Sequence, residues 1–265
     1  MRHLCIAAIL CAVSPIAATA QDKAVTAAVA TPDRPAAERA RDQYRHPVET
    51  LTFFKIAPGQ TVAEFFPGGG WYTRILLPLV GDKGHYIAVT NDSPAAIEST
   101  GKLVSELAKG RKTSVQPFVV ATATMAPAAS VDRVLTFRNV HNLLMAGARN
   151  NEGDAVAASF FQAAFKALKP GGFMGVVDHR LPETASTEQE QKSGYVKRST
   201  IVRLATAAGF VLDGESEINA NPKDSANWPD GVWTLPPTLK NGDVDREKYL
   251  AIGESDRLTL RFRKP

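Results

Sequence analysis

The sequence predicts one α/β domain, built on a mainly parallel sheet with helices on both faces. Three observations carry this. From Thr61 to Gly209, short apolar runs rich in strand formers alternate with segments of helical periodicity. Three consecutive glycines, Gly68-Gly69-Gly70, separate the first such run from the first such helix. The last two strand-like runs have no helical pattern between them, so they are expected to add antiparallel at one edge.

The chain begins "MRHLCIAAILCAVSPIAATA", Met1 to Ala20. Arg2 supplies a positive start, Leu4 to Val13 an apolar run too short to span a bilayer, and Ala18-Thr19-Ala20 a small-x-small cleavage signature. This order predicts a cleavable secretory signal peptide over 1–20 and a periplasmic or secreted protein with no stable membrane insertion after cleavage. The chain's only two cysteines, Cys5 and Cys11, lie inside that segment, and Leu10 before Cys11 is too large for a lipoprotein signal. A mature chain without cysteine makes no disulfide and no thiolate metal site, which suits an oxidising compartment. The full chain holds 31 basic and 27 acidic residues. That excess is mild and no dense basic stripe accompanies it, so nucleic-acid binding is not expected. About 245 residues remain after cleavage, enough for one α/β core. The sequence leaves the oligomeric state open.

Residues 21–35 are rich in Ala, Thr and Pro without apolar periodicity and read as a flexible leader. Ala36, Ala40, Tyr44, Val48 and Leu51 recur at helical spacing, with Pro47 dividing two short helices. Strand one is Thr61–Phe66. Trp71–Val80 reads as a helix that Pro78 kinks or shortens. His85–Thr90 is strand two, Leu103–Lys109 a helix, Val115–Val120 strand three and Val131–Phe137 strand four. Ala155–Leu168 is a helix with Val156, Phe160, Ala163 and Ala164 on one face, stopped by "KPGG". Phe173–Asp178 is strand five, Ser199–Ala208 a helix, and Phe210–Ile218 and Leu258–Phe262 the last strands. A polar loop, Asn219–Glu254, holds Trp228 and Trp233 between them.

A strand, a glycine-rich turn and a helix make a cofactor cradle, because bare backbone admits close approach at the carboxyl end of the strand. A packing turn without ligand uses the same residues. The run "VAEFFPGGGWYTRILLPLVGDKGHYIAV" resembles the first motif of the class I S-adenosylmethionine-dependent methyltransferases and their link into strand two. "ALKPGGFMGVVDHR" is similar to their entry into strand five. Within that superfamily, "RDQYRHPVETLTFFKIAPGQTVAEFFPGGGWYT", "RNVHNL" and "VVDHR" together resemble a group of bacterial predicted methyltransferases that often carry signal peptides, and the resemblance covers residues 36–265. The resemblance implies a Rossmann-like methyltransferase fold, a seven-stranded sheet with an antiparallel edge strand, and S-adenosylmethionine as cofactor.

The resemblance also implies roles. Glu64 holds the turn and meets the cofactor amine or a water, while Pro67, Gly68, Gly69, Gly70, Tyr72 and Thr73 surround the cofactor's amino-acid part. Phe66 stands where the family's first glycine falls. The family's ribose-binding acid after strand two falls on Thr90, with Asn91 and Asp92 next to it as candidates to reach the ribose. The region after strand three, "VVATATMAP", has no carboxylate to read the adenine. Contacts of this type are worth on the order of 1–3 kcal/mol each, so cofactor affinity is expected to be weakened or altered. A dinucleotide reading of Gly68-x-Gly70-x-x-Thr73 ranks lower, since Thr73 replaces a glycine and Trp71 is bulky against a pyrophosphate.

Asn139 and His141 follow strand four, where the resembled enzymes contact cofactor and substrate. His141 is a candidate proton acceptor or, alternatively, a helix cap. Asp178 and His179 end strand five, where Asp178 could orient His179 or a substrate cation; Arg180 could bind a carboxylate or pin a loop. His141, Asp178 and His179 are also ligand types for a metal, but they lack a tight ligand spacing, and no metal is expected. Arg41, Asp42, Arg45 and His46 could lid the cofactor or form a solvated charged face. Two functions remain open: a secreted methyltransferase acting on a small molecule, and a non-catalytic periplasmic binding protein that retains the fold.

Overall fold

The computed structural model describes residues 16–265; Arg2, the apolar run and both cysteines of the expected signal peptide lie outside the described residues. Helix α1, Ile16–Val29, replaces the expected flexible leader. The segment contains no glycine or proline and is alanine-rich, which favours helix without needing strong amphipathicity. Val25 and Ala28, one turn apart, are buried in the core beneath it. The expected cleavage point after Ala20 falls within this helix. No described helix is long and apolar enough to cross a membrane.

Three short helices follow: α2 (Ala36–Arg39), α3 (Asp42–Arg45) and α4 (Pro47–Phe53). The alternating part then runs β1 (Thr61–Phe65), α5 (Thr73–Val80), β2 (His85–Asn91), α6 (Pro94–Ala108), β3 (Thr113–Phe118), β4 (Val131–Phe137), α7 (Val140–Arg149), α8 (Ala155–Ala167) and β5 (Leu168–Leu181). It continues with α9 (Thr187–Lys192), the two-residue β6 (Val196–Lys197), α10 (Arg198–Ala207), β7 (Val211–Ser216), α11 (Arg246–Ile252) and β8 (Arg257–Arg263). Helices α7 and α9 were not expected, and α11 lies inside the segment read as loop. Helix α6 starts nine residues before its expected start, at Pro94, capped by Ser93, whose Oγ accepts from the Ala96 N–H.

The sheet order is β3-β2-β1-β4-β5-β8-β7, with β6 pairing to the end of β5. All neighbours are parallel except β8, which runs antiparallel to both β5 and β7. The antiparallel strand therefore sits one position in from the edge that β7 forms. After β3 the chain crosses back to the other side of β1, so the winding reverses between β1 and β4. Ligands of open α/β sheets bind at such a point, beyond the carboxyl ends of the strands.

Strand alternation divides the core in two. Ala63, Phe65, Val134, Met174 and Val176 face α7, α8 and α10, whereas Val62, Tyr86, Leu135 and Val177 face α1, α4 and α5. Gly175 of β5 is small because Phe54 lies against it: a Cβ there would come within 2.6 Å of the Phe54 ring. Gly175→Ala is expected to destabilise the fold by about 1–3 kcal/mol, read from denaturant midpoints, because the ring is wedged by Phe53 and Phe137.

The long segment before β8 is anchored by Asp224, which accepts from the Tyr195 hydroxyl, the Trp228 indole at 2.7 Å and the Ala226 and Asp256 backbone N–H groups. Trp228 is thus a loop anchor. Trp233 instead lies beside His141, with ring centroids 6.4 Å apart.

Candidate functional site

At the end of β1 the pleat turns Glu64 inward, buried between strands and α5. Its Oε2 accepts from the Tyr86 hydroxyl at 2.6 Å and the Thr73 hydroxyl at 2.8 Å. Burial raises the Glu64 carboxyl, these hydrogen bonds and Arg138 only partly offset it, and the group lies at about 7. Thr73 is fully buried and fixes the acid from behind.

The backbone then bends. Phe66 and Gly68 both take positive φ, 51° and 57°. Phe66 stacks on Phe65 with centroids 4.1 Å apart, which draws its ring toward the core beside the bend. A Cβ on Gly68 or Gly69 would meet nothing within 4 Å, so the bend faces open space. Gly70 differs: its φ is 83° and a Cβ would strike Leu107 at 2.9 Å, so this glycine allows α6 to pack close. The space above the bend is a cavity of about 330 Å³ lined by Glu38, Arg41, Arg45, Glu64, Phe66, Pro67, Gly68, Gly69, Trp71, Tyr72, Phe137, Arg138 and Asn139. It lies at the winding reversal, between the chain leaving β1 and the chain leaving β4.

Trp71 does not fill this space. Its ring is held by the guanidinium groups of Arg34 and Arg45, 4.8 and 4.6 Å from the centroid, and its indole N–H donates to the Glu38 carbonyl. Tyr72 stacks on Phe137 at 3.5 Å. Asn139 donates through Nδ2 to the carbonyls of Phe65 and Phe137, tying the ends of β1 and β4 together. Asn91 and Asp92 lie outside the cavity wall and are exposed. The Asn91 side-chain oxygen Oδ1 accepts from the Ser93 N–H and hydroxyl at the start of α6. The charged run before β1 divides: Arg41 and Arg45 reach the cavity, while Asp42 pairs with buried Arg34. Sequence reading missed Glu38, which brings a carboxylate to the wall. Its Oε1 accepts from Arg74 and its Oε2 is buried without a partner among the described residues.

The three residues proposed for chemistry do meet. Asp178 is fully buried and accepts from the Val140 N–H, the His141 N–H, the His179 N–H and the His141 ring Nδ1 at 2.7 Å. The carboxylate therefore orients His141, and its tie to His179 is through that residue's backbone; the expectation that it orients the His179 ring is not met. An ionised carboxylate only accepts, so in the neutral His141 ring the proton sits on Nδ1 and Nε2 has no partner among the described residues. Long-range ¹H–¹⁵N NMR is expected to show that Nδ1–H tautomer; the Nε2–H form would contradict it. The His179 ring contacts Ser255 Oγ through Nδ1 and lies 5.0 Å from the His141 ring. Burial, followed by the positive field of Arg257, Arg138 and Arg45, depresses His179 well below the usual histidine range, so it is neutral. Ligand atoms of His141, Asp178 and His179 lie within 4.8 Å of one another. Asp178 already receives four donors there. Arg180 pairs with Glu217 and Asp256, pinning strand ends.

No protein-family model matches the chain, and no curated protein matches it in sequence. Solved structures do. A SAM-dependent methyltransferase from Aquifex aeolicus is similar with a TM-score of 0.55 at 15% identity, over 92% of this chain and 98% of that one. A geranyl diphosphate methyltransferase in complex with SAM gives 0.53 at 12% identity, over 91% and 95%. The [4+2]-cyclase SpnF gives 0.56 at 13% identity, over 87% and 82%. Likeness at these identities is a likeness of fold, and reactions differ among chains that share one.

Proposed function

We propose that this chain, which has the Rossmann-like methyltransferase fold, binds S-adenosylmethionine above Gly68–Gly69 and methylates a small molecule. The observation that carries this is the open cavity over bare glycine backbone, floored by Glu64, at the winding reversal of the sheet. The donor set suits the cofactor. Glu64 and the unpartnered Glu38 oxygen fit an ammonium group or hydroxyls, and Glu38 offers a carboxylate that the end of β2 does not bring to the wall.

When bound, S-adenosylmethionine supplies an electrophilic methyl group for direct displacement. Glu64 orients and neutralises the amine end. Asn139 holds the ends of β1 and β4 at a fixed spacing, so the cavity keeps its width. His141, oriented by Asp178 and 5.0 Å from the His179 ring that lines the neighbouring cavity, is itself a lining residue of neither cavity, and it accepts the proton that the acceptor's hydroxyl or amine loses. Export is part of this proposal and rests on the ordered charge, apolar run and cleavage signature of residues 1–20.

A second reading, a non-catalytic binding protein, is favoured by one observation: Asn91 and Asp92 stand outside the cavity. Titration calorimetry of the mature protein with S-adenosylmethionine and S-adenosylhomocysteine separates the two. Saturable binding supports the methyltransferase reading. No heat at millimolar ligand overturns it in favour of the second.

A further inference from the structure

A second cavity, of about 300 Å³, shares Arg41, Arg45 and Arg138 with the first and is also lined by Trp233, Pro236 and Pro237. Its wall also carries Arg257, His179 and Glu254. Glu254 is the only carboxylate on this wall among the described residues and faces four guanidinium groups. It accepts from Arg41 Nε at 2.5 Å, from Arg45 Nε at 3.3 Å and from Arg257. Burial raises its carboxyl, but Arg257, Arg45 and Arg41 outweigh that and hold it at about 2.

One carboxylate does not satisfy this set. Arg41 Nη2, Arg45 Nη1 and Arg257 Nε are buried without partners among the described residues, and the Arg45 and Arg257 side chains are only 4% and 2% exposed. Arg138, held with φ at 63°, makes no side-chain hydrogen bond among the described residues and is pushed downward by burial and then by Arg257. Arginine keeps its proton in proteins, so this downward push reflects desolvation first and then repulsion from Arg257 and Arg41, which Tyr72 and Glu254 offset only in part. Buried, uncompensated charge of this kind is costly unless a counter-charge arrives. The same field helps keep the adjoining His179 neutral.

We propose that this second cavity binds an oxyanion, a carboxylate or phosphate, carried by the methyl acceptor. The guanidinium forks match either group in geometry and charge. The acceptor would then be a small organic acid or phosphate ester, seated between the cofactor cavity and the neutral His179. This rests on the methyltransferase reading for the word acceptor; the anion site itself does not.

The test uses the mature protein at constant ionic strength, with S-adenosylhomocysteine, inorganic phosphate and benzoate as probes in calorimetry and thermal-shift measurements. Phosphate or benzoate is expected to bind and to stabilise beyond chloride, with S-adenosylhomocysteine already bound, and the stronger of the two identifies the group. Arg138→Gln is expected to weaken that anion at least about tenfold, and Arg138→Lys to recover part of the loss. Because Arg138 has no native side-chain partner to lose, the Gln variant is expected to fold. Failure of both anions to exceed chloride, or equal binding by wild type and Arg138→Gln, overturns the proposal. So does direct competition between anion and S-adenosylhomocysteine, which would assign the arginines to the cofactor's own carboxylate. Anion binding without any S-adenosylhomocysteine binding instead sinks the methyltransferase reading and leaves the anion site standing.

Discussion

Gly69→Trp is expected to leave the fold intact and to weaken S-adenosylhomocysteine binding by more than about a hundredfold, a loss of roughly 2.7 kcal/mol or more. The two halves of this expectation have separate causes. Gly69 is absent from the positive-φ residues, so a side chain there does not strain the backbone. A Cβ at Gly69 also meets nothing within 4 Å and Gly69 lines the cavity, so an indole there is accommodated without a clash and can occupy the cavity mouth. Stability is therefore expected to stay within about 1 kcal/mol of wild type. Gly68→Trp is a poorer probe, since its φ of 57° penalises any side chain before ligand enters the question. Unchanged ligand affinity in a folded Gly69→Trp protein would mean that the cofactor is not over the bend.

Glu64→Gln is expected to stabilise the protein above neutral pH while weakening cofactor binding. The native carboxyl lies at about 7 against an ordinary 4.5. Between these values the folded state holds a proton that the unfolded state releases, so stability falls as pH rises. The contribution is intact below pH 4.5, declines through the window to about 7, and is then fully lost. The gap corresponds to on the order of 3 kcal/mol. Glutamine keeps an acceptor oxygen for Tyr86 and Thr73 and removes the titration. Unfolding curves at pH 8 should then show the variant more stable than wild type, with the difference vanishing near pH 4.5. Binding moves the other way: wild-type affinity for the cationic amine should rise with pH through about 7, and the variant should lose that dependence. A buried acid that destabilises its own fold is a cost tolerated where a ligand needs the charge. Equal pH profiles for the two proteins would remove Glu64 from the site.

Much of the sheet was legible because its strands are short, apolar and punctuated. Val131–Phe137 matched residue for residue, and β1 ended one residue before its expected end. Helix α1 was not legible: alanine-rich segments carry propensity without a face, and only Val25 and Ala28 reveal what they bury against. Helix α7 was hidden because "RNVHNLL" was read for its polar residues instead of its Val140, Leu143 and Leu144 spacing. The site followed the same division. Glu64, Gly68, Gly69 and Asn139, candidates through the resemblance, line the cavity, and His141, Asp178 and His179, candidates at the ends of strands four and five, come together in space. Counting along the strand fell on Thr90 with Asn91 and Asp92 beside it; Asn91 is tied to Ser93 at the start of α6, and neither residue lines the cavity. Of the arginine cluster only Arg41 and Arg45 were visible, as a possible lid; their meeting with Arg138 and Arg257 was not legible, because the four are scattered over more than two hundred residues in a chain of modest net charge.

The account's central claim is that the open space over Gly68–Gly69 holds the cofactor with its amine against Glu64. A crystal structure of the mature protein soaked with S-adenosylhomocysteine at pH 8 tests it most directly. Density for the ligand lying over the bare glycine backbone, with its amine in hydrogen-bond reach of the Glu64 carboxylate, is the expected result. An empty cavity at saturating ligand, or density elsewhere on the molecule, would contradict it.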